Sequence, residues 1–456
     1  MGDVAGGIAP VTGRARIDVL DVLRGLAILA IYYMNVTSQA SPVTLLFADP
    51  RWVGWTPLDR FAWGFVGIFL EGTQRGVLEL LFGAGFMVLT ARAMRPDGPV
   101  AVADLFYRRT LWLLFFGLVN VFVVLWVGDI LTIYAVASLF LFPFRLLGPK
   151  ALLALGSLFA LLTALTGGIE YAGRAAMVTK VERAQAAAAA GQAVAKDDAK
   201  ALAEWNEKIA KRAPTQGIAK KLVEERKARR APDGDLFSYA RYMWTAWLTF
   251  MVGKGFAGIA VVEAFCTMLI GIALWKWRIV QGGRSSRFYI GLAIAAYGFG
   301  LTARAVGVAE MLPFLPTPKT IWITEEAARI AVSVGHVALV NLAMKSVAGT
   351  RLLQPLRAVG RMAFSVYFLE QIIGLHILFA PYGFDLWGRY GYAAQFAIAT
   401  GVIVVSAIAA NLWARWFAMG PLEWAWRSLA YWQRQPFRRR AHTAPEVLPG
   451  PTLAAA

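Results

Sequence analysis

The sequence predicts an all-α, polytopic integral membrane protein. Apolar residues make up 58% of its 456 residues and charged residues only 16%, and the mean hydropathy is +0.55. A soluble domain has about 45–50% apolar and about 25% charged residues, so this chain has too little polar surface to be soluble. The single cysteine, Cys266, and the three histidines argue against a disulfide framework and against a zinc or other metal centre.

Ten stretches are apolar over about the 20 residues that a helix needs to cross the hydrocarbon core. They are predicted to span the membrane and lie at residues 17–36, 71–91, 110–127, 130–147, 151–170, 255–275, 288–306, 326–346, 362–380 and 394–414. The segment 61–70 is too short to cross alone and is predicted to be interfacial or re-entrant. The aromatic segment 237–253 carries Arg241 and is predicted to lie at the interface as a helix.

The basic residues predict the orientation of these spans. The formal net charge is +18, and with the N-terminus in the cytoplasm, 22 Lys and Arg fall in the predicted cytoplasmic segments. The short outer loops carry only Arg51, Arg60, Lys319 and Arg389. Short cytoplasmic loops are enriched in Lys and Arg, so both termini are predicted to be cytoplasmic in a multi-pass protein of the cell (inner) membrane. The expected partners of this charge are anionic lipids of the cytoplasmic face, and nucleic acid is not needed to explain it.

The chain is predicted to have five parts. They are a cytoplasmic tail at 1–16, an N-terminal membrane half at 17–170, an extracytoplasmic loop at 171–236, a C-terminal membrane half at 237–427 and a basic, disordered cytoplasmic tail at 428–456. The loop is rich in Ala, Lys and Glu, which favours helix. It is basic as well, but loops longer than about 60 residues are largely exempt from the charge rule.

Ionisable residues inside a span are costly and usually mark a site, a substrate path or an ion pair. In the first span, Asp21 and Arg24 are three residues apart. They are either a neutral pair at the interface or part of a ligand site. In the second span, Glu71, Arg75 and Glu79 follow at intervals of four, which predicts one stripe on a helix. This stripe is either a structural ladder of ion pairs or the wall of a polar cavity with Glu71 as a base.

Further polar residues lie near the predicted outer face. Asp129 stands at the tip of a tight hairpin between the third and fourth spans, where it either caps the fourth span or belongs to a site. The ninth span carries Glu370, Gln371 and His376. A lone histidine in a span is more often a hydrogen-bonded core residue than a catalyst, and His376 is a better catalytic candidate than His336 because it lies in the outer half of its span.

Five of the sequence motifs, together with the first span, resemble a known family. The first span, LDVLRGLAILAIYYMNV, is similar to the LDxxRGxAIxxxxxxN signature of the transmembrane acyltransferase superfamily. The other motifs resemble the YeiB-like family, or domain of unknown function 418 (DUF418), within that superfamily. These motifs are LLFGAGF at 80–86, RRTLWLLFFGLVN at 108–120, WVGDILTIYA at 126–135, GRMAFSVYFLEQIIG at 360–374 and GPLEWAWR at 420–427. The resemblance covers nearly the whole chain apart from the 171–236 loop and the two tails.

The resemblance implies acyl transfer across the membrane, from cytoplasmic acyl-CoA as co-substrate to a hydroxyl or amine on a glycan or another envelope molecule outside. It implies no metal. It places the acyl-CoA site at the basic residues Arg24, Arg92, Arg95, Arg108 and Arg109. Basic residues at these positions are equally typical of topology signals and lipid contacts.

The catalytic base is not given by the resemblance. In the related acyltransferase-three family a histidine occupies the position that is Asn35 here, and an amide does not titrate. The base is therefore a carboxylate, Glu71 before Asp129, or a distant histidine, His376 before His336, or it is absent. The remaining candidates for a polar cavity are Asn35, Arg75, Glu79, Tyr134, Arg361, Glu370 and Gln371. Two other functions fit the same residues: a small-molecule transporter whose intramembrane charges line a substrate path, and a scaffold whose polar groups only fix helix packing.

Overall fold

The computed structural model describes residues 17–42, 50–90, 100–212 and 217–439, and over these ranges the chain is helical without a β-strand. The all-α prediction is therefore confirmed. The helices are α1 (Asp18–Ala30), α2 (Tyr32–Ala40), α3 (Pro57–Phe65), α4 (Thr73–Thr90), α5 (Val100–Phe122), α6 (Leu131–Leu139), α7 (Pro149–Gly156), α8 (Leu158–Ala189), α9 (Lys196–Arg212), α10 (Gly217–Arg230), α11 (Leu236–Trp247), α12 (Phe256–Lys276), α13 (Ser286–Met311), α14 (Ile321–Ala343), α15 (Val347–Arg361), α16 (Ala363–Ile372), α17 (Tyr392–Trp416) and α18 (Pro421–Tyr431). Wider π-helical turns extend three of them: Val66–Leu70 after α3, Leu248–Gly253 after α11 and Ile373–Leu378 after α16.

Each of the ten predicted spans falls on a helical segment, and the chain is a multi-pass membrane protein. Seven helical stretches in the described part are long and apolar enough to cross a membrane: Asp18–Ala40, Val102–Phe122, Pro149–Ala189, Phe256–Lys276, Ser286–Met311, Ile321–Ala343 and Tyr392–Trp416. An eighth is a broken pair, Val347–Arg361 and Ala363–Leu378, bent by 76°. The predicted second and fourth spans are α4 and the short α6. The total of ten crossings and the cytoplasmic termini stay predictions.

The long loop is helical and continues the bundle. α7 and α8 form a stretch of 41 residues that ends at Ala189, well beyond the predicted end of the fifth span. α9 and α10 follow, and α10 packs against α11. We call the end of the bundle with α10 and α11 the loop end, which corresponds to the predicted outer face. We call the opposite end, where α1 begins and α18 lies, the terminal end.

A tight helix crossing explains one glycine of the first-span motif. α1 passes α15 so closely that a Cβ atom on Gly25 would lie 2.1 Å from the carbonyl oxygen of Leu356. A Cβ atom on Gly360 would lie 1.7 Å from the carbonyl oxygen of Asp21. Small residues allow such backbone contact between membrane helices, so Gly25 is required for packing.

Candidate functional site: an acidic cavity at the loop end

A cavity of about 340 Å³ lies at the loop end, between α4, α6, α11 and α12. Three carboxylates, two guanidinium groups and several aromatic rings line it: Glu79, Asp129, Glu263, Arg75, Arg229, Trp126, Tyr134, Tyr239, Tyr242, Phe250 and Trp387. Ligand sites in proteins are typically concave, largely apolar and supplied with a few convergent polar groups. The cavity therefore suits a small ligand that is polar on one side.

A network of ion pairs joins α4, α12 and α14 beside this cavity. Nη2 of Arg75 lies 2.5 Å from Oε1 of Glu263, and its Nε lies 3.6 Å from Oε1 of Glu79. Arg329 pairs with Glu79 at 2.9 Å, with Glu263 at 3.1 Å and with Glu326 at 2.7 Å. Three carboxylates thus share two guanidinium groups. Because Glu79 and Arg329 are almost completely buried, solvent screens these pairs only weakly.

Asp129 lines the cavity and also caps α6. Its Oδ1 accepts a hydrogen bond from Nδ2 of Asn120 at 2.8 Å, and its Oδ2 accepts one from the backbone N–H of Thr132 at 2.7 Å. The hydroxyl of Thr132 donates to the same Oδ2. The predicted capping role is therefore observed, with neutral donors holding the carboxylate at the first turn of the helix, and the predicted site role of Asp129 stays a prediction.

α10 covers the mouth of the cavity. Arg229 is buried, its Nη2 donates to the carbonyl oxygen of Phe379 at 2.8 Å, and its guanidinium lies 4.3 Å from the ring centre of Trp387. On the other side, the hydroxyl of Tyr242 donates to Oε1 of Glu225 at 2.5 Å. Burial, followed by the Glu225 carboxylate, raises the pKa of Tyr242 above its ordinary value, so Tyr242 keeps the proton that it donates.

Four of the predicted site residues meet at this cavity: Arg75, Glu79, Asp129 and Tyr134. The hydroxyl of Tyr134 donates to the carbonyl oxygen of Arg75 at 3.1 Å, which fixes α6 against α4. Arg75 and Glu79 both line the cavity and form an ion pair with each other, so the ladder and the cavity wall remain alternative interpretations of these two residues.

Glu71 does not join them, and the ladder expected from its spacing begins only at Arg75. Gly72 has φ +68° and α4 starts at Thr73, so residues 71 and 75 do not lie on one continuous helix. The spacing rule applies only within such a helix. Glu71 is an exposed residue whose carboxyl group interacts electrostatically with Arg304, and its carbonyl oxygen accepts a hydrogen bond from Arg304 at 2.6 Å.

His376 also lies outside the cavity lining, with both ring nitrogens engaged. A carbonyl oxygen only accepts, so Nε2 of His376 donates to the carbonyl oxygen of Val124 at 2.9 Å. Nδ1 then accepts from the hydroxyl of Tyr382 at 2.5 Å. His376 thus holds the end of α16 against the hairpin that follows α5.

Asn35, Glu370 and Gln371 lie in a separate buried layer between α2 and α16. Nε2 of Gln39 donates to Oε1 of Gln371 at 2.5 Å, and the hydroxyl of Tyr32 donates to Oε1 of Gln39 at 3.0 Å. Gln39 also lines the cavity. Glu370 is 0% exposed, and within the described ranges neither of its carboxyl oxygens has a hydrogen-bond partner.

Comparison with known proteins shows what the chain is similar to. The family model described as "Protein of unknown function (DUF418)" matches residues 274–433. The uncharacterized protein YxaH of Bacillus subtilis (strain 168) is 28% identical over 95% of this chain and 98% of its own length. The uncharacterized protein YeiB of Escherichia coli (strain K12) is 24% identical over 90% of this chain and 95% of its own length. Residues 274–433 of the chain therefore match DUF418, and the chain is similar to YxaH and YeiB over nearly its whole length. No solved structure matches it.

At the terminal end, each of the three predicted acyl-CoA residues that the structure describes, Arg24, Arg108 and Arg109, has a partner. Arg24 pairs with Asp21 at 2.9 Å, as the neutral-pair interpretation expects. The guanidinium of Arg109 lies 4.3 Å from the ring centre of Trp426. Trp426 belongs to the GPLEWAWR motif, so this contact joins two of the family motifs.

The other basic candidates are also engaged or lie outside the described residues. Arg108 pairs with Asp104 at 2.8 Å, and Arg361 donates to the carbonyl oxygen of Ala418 at 3.0 Å. Arg361 is therefore at the terminal end, far along α15 from the cavity. Arg92 and Arg95 lie outside the residues that the structure describes.

Sequence reasoning did not assign roles to several residues of the cavity and of the ion pairs beside it. Glu263 and Arg329 are visible as charges within predicted spans, but Glu263 pairs with residues of other helices, and Arg329 does so in addition to pairing with Glu326. Glu326 is next to Glu325 in the sequence, and only the rotation of α14 shows that Glu326 faces Arg329. Nothing in the sequence indicated a cavity role for Arg229, because it belongs to a run of charged residues in the predicted extracytoplasmic loop.

Proposed function

We propose that this protein is a membrane-embedded acyltransferase whose acceptor binds in the loop-end cavity. The observation that carries the proposal is that this cavity combines a carboxylate on Asp129 with a guanidinium on Arg75. Acyl transfer needs a base for the acceptor and a positive group for the oxygen of the tetrahedral intermediate. The acceptor would be a hydroxyl or amine, on a glycan or another envelope molecule, and the donor would be acyl-CoA from the terminal end.

In the proposed reaction, the acceptor oxygen or nitrogen replaces the sulfur of coenzyme A on the acyl carbon. As the acceptor oxygen or nitrogen attacks the thioester carbonyl, its proton passes to the base, and Arg75 stabilises the negative charge that develops on the carbonyl oxygen. The carbon–sulfur bond breaks as the new carbon–oxygen or carbon–nitrogen bond forms. Coenzyme A leaves as a thiolate and takes up a proton, so the overall proton count is unchanged.

Asp129 is the base that the cavity favours over Glu71 and His376. Of these three candidates only Asp129 lines the cavity. Its donors, Asn120 and Thr132, are neutral, so no cation competes with an incoming acceptor for its negative charge. Hydrogen bonds of this kind orient a carboxylate and leave lone pairs on both oxygens.

The test is acyl-CoA binding and turnover by the purified protein in lipid nanodiscs. We expect acetyl-CoA to bind, and Arg24→Ala to weaken that binding. We expect Asp129→Asn to lower coenzyme A release by about 10²–10⁴-fold, the usual contribution of a general base, without changing acetyl-CoA binding. Asp198→Asn, which replaces a carboxylate of the long loop that pairs with Arg183 at 3.0 Å, is the matched control and keeps full turnover.

Absence of acetyl-CoA binding under every condition would contradict the proposal. Uptake of a small solute into proteoliposomes without acyl-CoA would instead support transport, with the same cavity as the solute site. Equal turnover by Asp129→Asn and the native protein would reject Asp129 as the base and leave the activity itself in place.

A further inference from the structure

One side of the loop-end cavity is apolar and borders the surface of the bundle. Its lining there includes Phe250, Met251, Phe256 and Ile259, which belong to the π-helical turn after α11 and to the first turn of α12. Phe256 and Ile259 are 40% and 54% exposed although they line the cavity. In addition to the mouth that α10 covers, the cavity therefore has a side wall that is only one side chain thick.

The surface outside this wall is apolar as well. Leu248 and Val252 of the π-helical turn and Val262 of α12 are 55%, 57% and 51% exposed. α12 is long and apolar enough to cross a membrane, and exposed apolar side chains on such a helix face lipid. Lys254 lies between the two elements, with its ammonium 4.2 Å from the ring centre of Phe250, and a lysine near the end of a span reaches the headgroup level. The side wall thus borders the bilayer near its loop-end interface.

One face of α12 leads from this apolar wall to the charged interior of the cavity. Phe256, Ile259 and Glu263 follow at intervals of three and four residues, which places them on one helix face, and all three line the cavity. With a rise of about 1.5 Å per residue, this face changes from apolar to acidic over about 10 Å. Glu263 pairs there with Arg75 at 2.5 Å, and Asp129 lines the same cavity. A ligand that fits both parts has a polar head and a hydrocarbon tail.

We propose that the cavity binds a membrane amphiphile, with its polar head beside Asp129 and its hydrocarbon tail leaving past Phe256 and Ile259 into the bilayer. A fully water-soluble ligand leaves the apolar side of the cavity unused, whereas a lipid-anchored ligand buries its chain there. The proposal names the acceptor class of the acyltransferase and rests on that proposed function for the reaction. Entry of the tail from the bilayer is a separate property of the cavity and can be tested without acyl-CoA.

The experiment measures how fast a tailed and a charged thiol reagent reach a cysteine inside the cavity. The full-length protein carries Ala260→Cys, since Ala260 lines the cavity beside Ile259, and Cys266→Ala, which removes the native buried thiol. It is reconstituted in lipid nanodiscs, and modification is followed by intact mass spectrometry. The probes are N-dodecylmaleimide, which partitions into the bilayer, and a sulfonated maleimide, which stays in water. We expect the sulfonated probe to react about tenfold more slowly, because an anion enters an apolar opening only at a high cost in solvation.

Two further variants locate the opening. Ile259→Trp fills the side wall, and we expect it to slow the reaction of N-dodecylmaleimide about tenfold, because a close-packed wall leaves no room for the chain. Leu248→Trp is the matched control and keeps the native rate, since Leu248 has nearly the same exposure and is not among the residues that line the cavity. If Ile259→Trp does not fold, Phe256→Ala decides, and we expect it to raise the rate by widening the opening.

Two results would overturn the proposal: equal rates for Ile259→Trp and Leu248→Trp, or modification by the sulfonated probe at least as fast as by N-dodecylmaleimide. An unchanged rate in Phe256→Ala would do the same where that variant has to decide. Because acyl-CoA is absent from this experiment, each of these results rejects a lipid-anchored ligand and leaves the acetyl-CoA test of acyl transfer unaffected.

Discussion

Two buried polar regions reach the loop-end cavity, and they balance their charges differently. We call the first the ion network, composed of Arg75, Glu79, Glu263, Glu326 and Arg329. We call the second the amide layer, composed of Tyr32, Asn35, Gln39, Glu370 and Gln371. Every carboxylate of the ion network lies within ion-pair distance of a guanidinium. The carboxyl group of Glu370 has no such partner within the described ranges.

The comparison shows that the contribution of a buried glutamate to stability depends on whether it has a partner of opposite charge. Burying an ion is costly, and a close partner of opposite charge offsets much of that cost. Removing one member of a buried ion pair therefore leaves the other charge buried without compensation, and its full burial cost then lowers the stability. Removing an unpartnered carboxyl group instead relieves the structure of an unsatisfied polar group. Three substitutions test this difference.

The largest effect is expected for Arg329→Met. Arg329 contacts three carboxylates and donates to Oγ1 of Thr267 at 2.8 Å, so its loss leaves Glu326 without a guanidinium. We expect a loss of about 3–5 kcal/mol in the free energy of unfolding, as for other broken buried pairs. The measurement is unfolding by SDS in mixed micelles, followed by circular dichroism.

Arg108→Met is the control for this first prediction. Arg108 pairs with Asp104 at 2.8 Å, but both side chains are partly exposed, and such pairs contribute about 0–1 kcal/mol. Equal losses for the two variants would mean that burial does not distinguish the ion network from a surface pair.

An intermediate effect is expected for Glu326→Gln, which tests whether the ion network needs its third carboxylate. Glu326 accepts two hydrogen bonds from Arg329, at 2.7 and 2.8 Å, and the amide keeps only one good acceptor. At the same time the substitution leaves two carboxylates for two guanidinium groups. We expect a loss of about 1–2 kcal/mol, close to that of one charge-assisted hydrogen bond, in the same SDS unfolding experiment. A loss as large as that of Arg329→Met would show that the third carboxylate is essential to the ion network.

The smallest effect is expected for Glu370→Gln in the amide layer. The amide has nearly the same shape as the carboxyl group, and no described partner is lost. We expect a change within about 0.5–1 kcal/mol in either direction. Glu370→Ala is the comparison variant, since it also removes packing atoms from a fully buried position and should cost more. If Glu370→Gln lowered the free energy of unfolding about as much as Arg329→Met, Glu370 would have an ionic partner, and the two regions would not differ in the way proposed.

Much of the fold was predictable from the sequence, because crossing a bilayer requires long apolar helices with internally satisfied backbones. The ten apolar stretches all fall on helices, and the match to DUF418 over residues 274–433 agrees with the resemblance carried by the motifs. The candidate site was predictable only where its residues share one continuous helix. Arg75 and Glu79 meet this condition, whereas Gly72 separates Glu71 from them.

The sequence by itself determined that this chain is a helical membrane protein similar to the DUF418 family, and it pointed to Asp129 at a hairpin tip. Tertiary structure alone decided which charges meet. Arg329 reaches Glu79 across 250 positions of sequence, and Arg229 of the long loop enters the cavity. The physical reason is that apolar content and helical spacing act locally, whereas ion pairing depends on which helix faces adjoin. That choice is made by close contacts such as the one between Gly25 and α15.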